Sequence, residues 1–259
     1  MLQSLYAGAV ADSNARQELV SLSEIEMLAS KAKPALDAIT ALGAGEFVKV
    51  IAEIKRASPS KGHLATIADP AALASVYQSA GASAISVLTE QRLFLGSLQD
   101  FDEVRSAVAL PLLRKDFIAN EYQIFEARAH GADTVLLIAA GLDPADLIRL
   151  KALIESLGMT AFIETHNRPE VEFAATIGAK LVGVNARDLT TFETDRNLFE
   201  ELVHILPGDC IKVAESAVRG VSDVKAYAAA GADCVLVGEA LVTGDAEDLV
   251  GAFSRIAKA

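Results

Sequence analysis

The chain has 259 residues, 52% of them hydrophobic, with 23 Lys+Arg against 35 Asp+Glu for a net charge of −12. That apolar fraction excludes a disordered protein. So acidic a chain is a poor counter-ion for a phosphate backbone, and nucleic-acid binding through bulk charge is not expected.

Residues 1–46 read as helices, ELVSLSEIEMLASKA being the clearest, and are expected to pack as an extension on the domain that follows. From residue 47 to 259 a single catalytic domain is expected, built on eight short apolar runs. In order these are VKVIAEIK (48–55), GASAISVL (81–88), PLLRKDF (111–117), GADTVLLIAA (131–140), MTAFIET (159–165), GAKLVGVNAR (178–187), CIKVAES (210–216) and GADCVLVGEA (231–240). Their aliphatic and β-branched content fits strands buried on both faces, as in parallel sheets. Four open on Gly-Ala, the glycine suiting the left-handed position just past a helix C-terminus.

Segments of helical spacing lie between the runs. From Pro70, Leu73, Val76, Tyr77 and Ala80 are expected on one face, and from Val221 the same holds for Val221, Val224, Tyr227 and Ala228. Asp69-Pro70 and Asp143-Pro144 supply an N-cap followed by a first-turn proline. Eight βα units predict an α/β fold, a (β/α)8 TIM barrel with an N-terminal helical extension. An open doubly wound sheet is the rival, disfavoured because no Gly-rich dinucleotide turn is present.

Two cysteines, Cys210 and Cys234, have no CxxC spacing and indicate neither a disulfide framework nor a zinc site. The opening MLQSLYAGAVADSNARQ lacks the basic and apolar regions of a signal peptide. No run of about 18 uncharged apolar residues is available to span a bilayer. A cytoplasmic protein without a membrane partner is the expectation.

Polar residues close these strands where an apolar core would exclude them. Glu53 and Lys55 end the first run, Lys115 and Asp116 the third, Glu164 the fifth, Asn185 and Arg187 the sixth, Glu215 and Ser216 the seventh, and Glu239 the eighth. All fall at C-terminal ends, the face on which barrel enzymes build their sites. Buried ions are costly unless paired or used. Three cations (Lys55, Lys115, Arg187) in a net-acidic chain point to a small anionic substrate, and the interleaved carboxylates to acid–base chemistry. The loops after the last two strands, ESAVRG and VGEAL, are candidate phosphate binders. Asp116, with no second carboxylate near it in sequence, reads as orienting a loop, so neither a metal nor a cofactor is expected.

IAEIKRASPSKG (51–62), SVLTEQRLFLGSL (86–98), LLRKDFI (112–118), GVNARDL (183–189), VAESAVRG (213–220) and VLVGEALV (235–242) closely resemble the indole-3-glycerol phosphate synthases of tryptophan biosynthesis. The resemblance implies ring closure of 1-(2-carboxyphenylamino)-1-deoxyribulose 5-phosphate with loss of CO2 and water, without metal. By the same resemblance Lys115 is the general acid that protonates the ketone, and Glu164 faces the anilino nitrogen. Lys55 contacts carboxylate and phosphate and serves in dehydration, with Glu53 as its partner and as the later base. Asn185 and Glu215 orient sugar hydroxyls, Ser58 and Arg187 lie near the anthranilate carboxylate, and Ser216, Ala217, Gly238 and Glu239 form the phosphate cup. Leu88, Phe94, Phe117, Leu136, Ile138, Phe162, Leu189 and Leu236 match the family's apolar wall, Phe94 and Leu136 foremost. His63 and His166 are expected to be loop residues, since the family uses no catalytic histidine.

One position departs from the pattern: the family usually has Glu-Ser-Gly where this chain reads Glu215-Ser216-Ala217. If position 217 needs a left-handed backbone, that loop is strained and phosphate binding weakened. Phosphoribosylanthranilate isomerase, another phosphate-binding barrel, would need a Cys/Asp pair in place of these lysines and glutamates. A non-catalytic barrel has Ala217 as its only support. The helices show no heptads, so a monomer or weak oligomer is expected, with another pathway enzyme as the candidate protein partner. The central expectation is spatial: Lys115 and Glu164 should meet in one cavity at the barrel mouth.

Overall fold

The computed structural model describes every residue except 189, 190 and 192. Among the described residues the apolar runs become parallel strands β1 (Lys49–Ile54), β2 (Ala84–Leu88), β3 (Leu112–Lys115), β4 (Thr134–Ile138), β5 (Thr160–Thr165), β6 (Leu181–Asn185), β7 (Ile211–Glu215) and β8 (Cys234–Val237). Each pairs in parallel with its sequence neighbours, and β8 pairs with β1 to close a TIM barrel.

Three helices precede the barrel: α1 (Leu2–Leu19), α2 (Leu22–Lys31) and α3 (Ala38–Gly43). The outer ring is α4 (Pro70–Ala80), α5 (Leu98–Ala107), α6 (Glu121–Ala129), α7 (Pro144–Ser156), α8 (Arg168–Thr176), α9 (Leu198–Leu202), α10 (Val221–Ala229), α11 (Glu239–Thr243) and α12 (Ala246–Phe253). Asp69 and Asp143 cap α4 and α7 as their spacing predicts. The four Gly-Ala glycines all take positive φ, from 67° at Gly178 to 104° at Gly81.

Side chains alternate across each strand, and the alternation sorts the core in two. Val50, Ala52, Ile54, Val135, Leu137, Ile163 and Val184 pack outward under the helices. Ile51, Leu113, Leu136, Phe162, Leu181, Val213 and Leu236 fill the barrel interior. Continued by two residues, the inward series reaches Glu53, Lys115, Glu164 and Glu215, and from Leu181 it reaches Gly183 and Asn185. The period that builds the core thus carries the polar residues onto the inner wall at the C-terminal mouth.

The extension reaches both ends of the barrel. Leu42 of α3 joins the interior cluster at the N-terminal end, where Cys234 Sγ lies 3.5 Å from its carbonyl. Tyr6 of α1 packs at the mouth, edge-on to Phe117 with ring centroids 5.6 Å apart. A Cβ on Gly141 would collide with the Cε2 edge of that tyrosine ring.

Two helix faces differ from expectation: Val76 and Val221 are exposed. Helix α4 buries Pro70, Ala74 and Tyr77 instead, a stripe rotated away from Val76, and Val221 sits in the first turn of α10. No helix among the described residues is long and apolar enough to cross a membrane.

Arg114, 1% exposed on the outer face of β3, donates to the Gln123 carbonyl at 2.9 Å and pairs with Glu126 at 2.9 Å and Asp116 at 3.3 Å. Glu126 also receives Arg16 of α1 at 2.6 Å, so this buried cluster ties the extension to α6 and β3. Removing one partner strands an uncompensated buried charge. Glu126→Ala is expected to lower unfolding free energy by about 3 kcal/mol in urea titration.

Candidate active site

The inward series meets in a cavity of about 670 Å³ at the mouth. Lys115 Nζ lies 2.7 Å from Glu164 Oε2 and 3.5 Å from Glu215 Oε2. Asn185 Nδ2 donates to Glu164 Oε1 at 3.0 Å, while Asn185 Oδ1 accepts from Ser216 Oγ at 2.7 Å and Arg187 N at 3.0 Å. On the β1 side Lys55 Nζ pairs with Glu53 Oε1 at 2.7 Å, and Ser86 Oγ donates to Glu53 Oε2 at 3.3 Å. Strand register aligns the parts, pairing Asn185 with Glu215 and Glu164 with Gly183.

Space for these carboxylates comes from missing side chains. A Cβ on Gly183 would overlap Glu215 Oε1 and lie 2.7 Å from Phe162 Cε2. On Gly238 it would collide with Glu53 Oε1 and meet Lys55 Nζ at 3.0 Å. Gly238 therefore makes room for the β1 ion pair, a role beyond the backbone contact expected of it.

The shared burial splits the protonation behaviour of the carboxylates. Burial pushes the Glu164 carboxyl up, but Lys115 and His166 outweigh it and hold the group below the usual range. Burial likewise pulls the Lys115 ammonium down, and Glu164, Glu215 and Glu53 override it, keeping the lysine charged. Glu215 moves the other way: burial and the neighbouring Glu164 raise it above the usual carboxyl range despite Lys115. Its Oε1 is buried with no hydrogen-bond partner among the described residues. The two carboxyls on either side of one ammonium are thus pushed in opposite directions, Glu164 down and Glu215 up.

Every candidate polar residue lines this one cavity: Glu53, Lys55, Ser58, Lys115, Glu164, Asn185, Arg187, Glu215, Ser216, Ala217, Gly238 and Glu239. The apolar wall contains Leu88, Phe94, Phe117, Leu136, Ile138 and Leu236. Phe162 is a correction, being wholly buried one layer below, against Gly183, and outside the lining. Leu189 lies outside the described residues. Asp116 accepts from Thr89 Oγ1 at 2.5 Å and Phe117 N at 2.8 Å, orienting the turn after β3. Glu239 pairs its side chain with Lys61 at 3.4 Å.

Three contributors were not legible beforehand. Met1 and, from α1, Leu2 and Leu5 complete the apolar rim. Buried Glu90 accepts from the backbone N–H of Arg92, Leu93 and Phe94 at 2.8–2.9 Å, folding the turn that presents Phe94. His166, expected as a plain loop residue, is half-buried, with its buried Nε2 3.2 Å from Glu164 Oε1. A carboxylate and a histidine just after a strand end were the available signals for the last two.

The chain matches the profile of the indole-3-glycerol phosphate synthase family over residues 2–252. It belongs to that family. Relatives described as indole-3-glycerol phosphate synthase include one from Leifsonia xyli, 58% identical over 95% of this chain and 94% of its own length. Another, from Mycolicibacterium gilvum, is 56% identical over 96% of this chain and 92% of its own length. Membership in the synthase family makes the chain an enzyme of the carbon–carbon lyase class, acting on a small phosphorylated substrate. Among solved structures, 3-hexulose-6-phosphate synthase from Salmonella typhimurium superposes with a TM-score of 0.63 at 15% identity, covering 81% of this chain and 98% of that one. At that identity the likeness is one of fold.

The departure at position 217 has a geometric cost. Ser216 and Ala217 both take left-handed backbone, with φ of 68° and 59°. The loop is pinned on either side, by Ser216 Oγ on Asn185 and by Asp223 accepting from Arg219 N at 2.7 Å. A left-handed alanine costs about 1 kcal/mol against glycine. Ala217→Gly is therefore expected to lower KM by up to about fivefold at unchanged kcat; steady-state kinetics check this, and an unchanged or raised KM refutes it. Gly183→Ala should displace Glu215 and lower kcat/KM on the order of 10²-fold while circular dichroism stays that of a folded barrel.

Proposed function

We propose that this chain closes 1-(2-carboxyphenylamino)-1-deoxyribulose 5-phosphate to indole-3-glycerol phosphate, with Lys115 as first general acid. The observation that carries this reading is the 2.7 Å pair of Lys115 and Glu164 opening into a cavity with a polar side and an apolar side. The ring carbon bearing the carboxylate attacks the sugar ketone, and Lys115 gives its proton to the ketone oxygen as that oxygen becomes a hydroxyl. Positive charge grows on the anilino nitrogen during attack, and the ionised Glu164 opposes it. CO2 then leaves, its bonding electrons restoring the aromatic ring. Loss of the hydroxyl as water needs an acid, Lys55, and removal of a ring-system proton needs a base, Glu53.

Glu215, whose hold on a proton is strengthened by burial and by Glu164, is suited to donate to a sugar oxygen as well as accept from one. The closeness of Glu53 to Lys55 supports their working as one unit. Backbone N–H groups of residues 216–217 and 238–239, together with Lys55, suit a phosphate. Phe94 and Leu136 face the aromatic half of the substrate, and Arg187 and Ser58 its carboxylate.

Incubating the purified chain with the carboxyphenylamino-deoxyribulose phosphate and following indole fluorescence tests the proposal. Lys115→Ala should lower kcat on the order of 10²–10⁴-fold; near-unchanged turnover would remove Lys115 from the chemistry.

A further inference from the structure

Resting on that reading of the site, we propose that His166 is a positioning residue: its imidazolium, wedged between Glu164 and Glu170, keeps the Glu164 carboxylate ionised and aimed at Lys115. The side chain is only 9% exposed. Its Nε2 stands 3.2 Å from Glu164 Oε1, within ion-pair range though not aligned as a hydrogen bond. Its Nδ1 stands 3.4 Å from Glu170 Oε2, which also accepts from the His166 backbone N–H at 2.8 Å. Carboxylate oxygens only accept, so a neutral ring would turn a lone pair toward one of them. With both nitrogens protonated, Nδ1 donates to Glu170 and the positive Nε2 edge lies against Glu164 at ion-pair distance, so no lone pair faces a carboxylate.

The need for such a cation follows from the surroundings. Around the ring, Lys55 and Lys115 contact three buried carboxylates, Glu53, Glu164 and Glu215. Glu164 and Glu215 share Lys115, and two like charges in one dry pocket drive one of them to take up a proton. His166 meets Glu164 on the oxygen that Lys115 leaves open, beside the Asn185 amide, which biases the shared proton toward Glu215. Glu164 is then the partner left ionised. The groups facing this imidazole are Glu164 from β5, Glu170 from α8 and, farther off, Glu215 from β7. Beyond Glu164 stand Lys115 from β3 and Tyr6 from α1. The turn 139–141 packed on α8 is built of alanine and glycine.

Burial works to discharge the ring, but Glu164 and Glu170 outweigh it and raise its pKa to about 9. Its proton is therefore held from acid pH through neutrality and lost as pH rises through that value, and the hold on Glu164 goes with it.

Two measurements test this. In kinetics, the unsubstituted enzyme should show a fall in kcat near pH 9, and His166→Gln should lower kcat on the order of 10-fold or more with KM within about twofold and lack that fall. In 15N-histidine NMR without substrate, the resonance absent from His166→Gln should titrate near pH 9, and Glu164→Gln should bring it down by about one unit or more. A midpoint at or below about 7 overturns the inference. So does a His166→Gln enzyme with unchanged kcat and pH profile, and so does a loss equal at every pH accompanied by a lower melting temperature. An unsubstituted chain that forms no indole product sinks the functional reading instead, while the titration still decides the ion pair.

Discussion

The contact between Lys115 Nζ and Glu164 Oε2, 2.7 Å long, bridges β3 and β5 across the intervening β4, directly above the apolar interior of the barrel. Each ion taken from water into such a place costs several kcal/mol, recovered only when the partner is at hydrogen-bond distance. The Lys115–Glu164 and Lys55–Glu53 pairs meet that condition at 2.7 Å, whereas Glu215, 3.5 Å from Lys115, has its pKa raised instead. Asn185 steadies one oxygen of Glu164 and is itself fixed by Ser216 and Arg187, so the sixth and seventh loops lean on the same carboxylate. Strand order, register and the absent side chain at Gly183 can all be read as requirements of keeping these groups together.

Much of this was visible in the amino-acid order for a simple reason. Buried parallel strands must be apolar, so a lysine or glutamate at the end of such a run stands out, and two-residue alternation tells which way it faces. The Gly-Ala turns mark strand starts because a side chain at that glycine would be penalised by its positive φ. Depth was less legible. Phe162 has the inward parity of Leu136, yet the stagger of the strands leaves it beneath the cavity floor. Val76 and Val221 fit an apolar helical stripe, but which flank meets the sheet depends on neighbours distant in the chain. Glu90, His166 and the tip of α1 gain their importance from partners that only folding brings near.

The N-terminal extension belongs to the barrel at both ends. Leu42 closes its floor while Tyr6 and Leu5 reach its mouth, and Arg16 anchors the span between through Glu126 to the buried Arg114. Two unrelated charge systems thus lie on opposite faces of β3: Arg114 outward, paired with Glu126 and Asp116 under the helices, and Lys115 inward, paired with Glu164 at the cavity. Adjacent residues in one strand face opposite sides, which is why a single tetrapeptide serves both.

The hydrogen at Gly183 has a consequence for how such a pocket can be remodelled. With Glu215 on one side and Phe162 on the other of the position a Cβ would take, the polar wall has no spare volume for even a methyl group. The opposite wall is different in kind: Phe94 is half-buried on a turn held by backbone contacts to Glu90, and its neighbours Leu93 and Leu95 face solvent. Change in the shape of the cavity is therefore open to that turn and closed to the charged arc around Gly183.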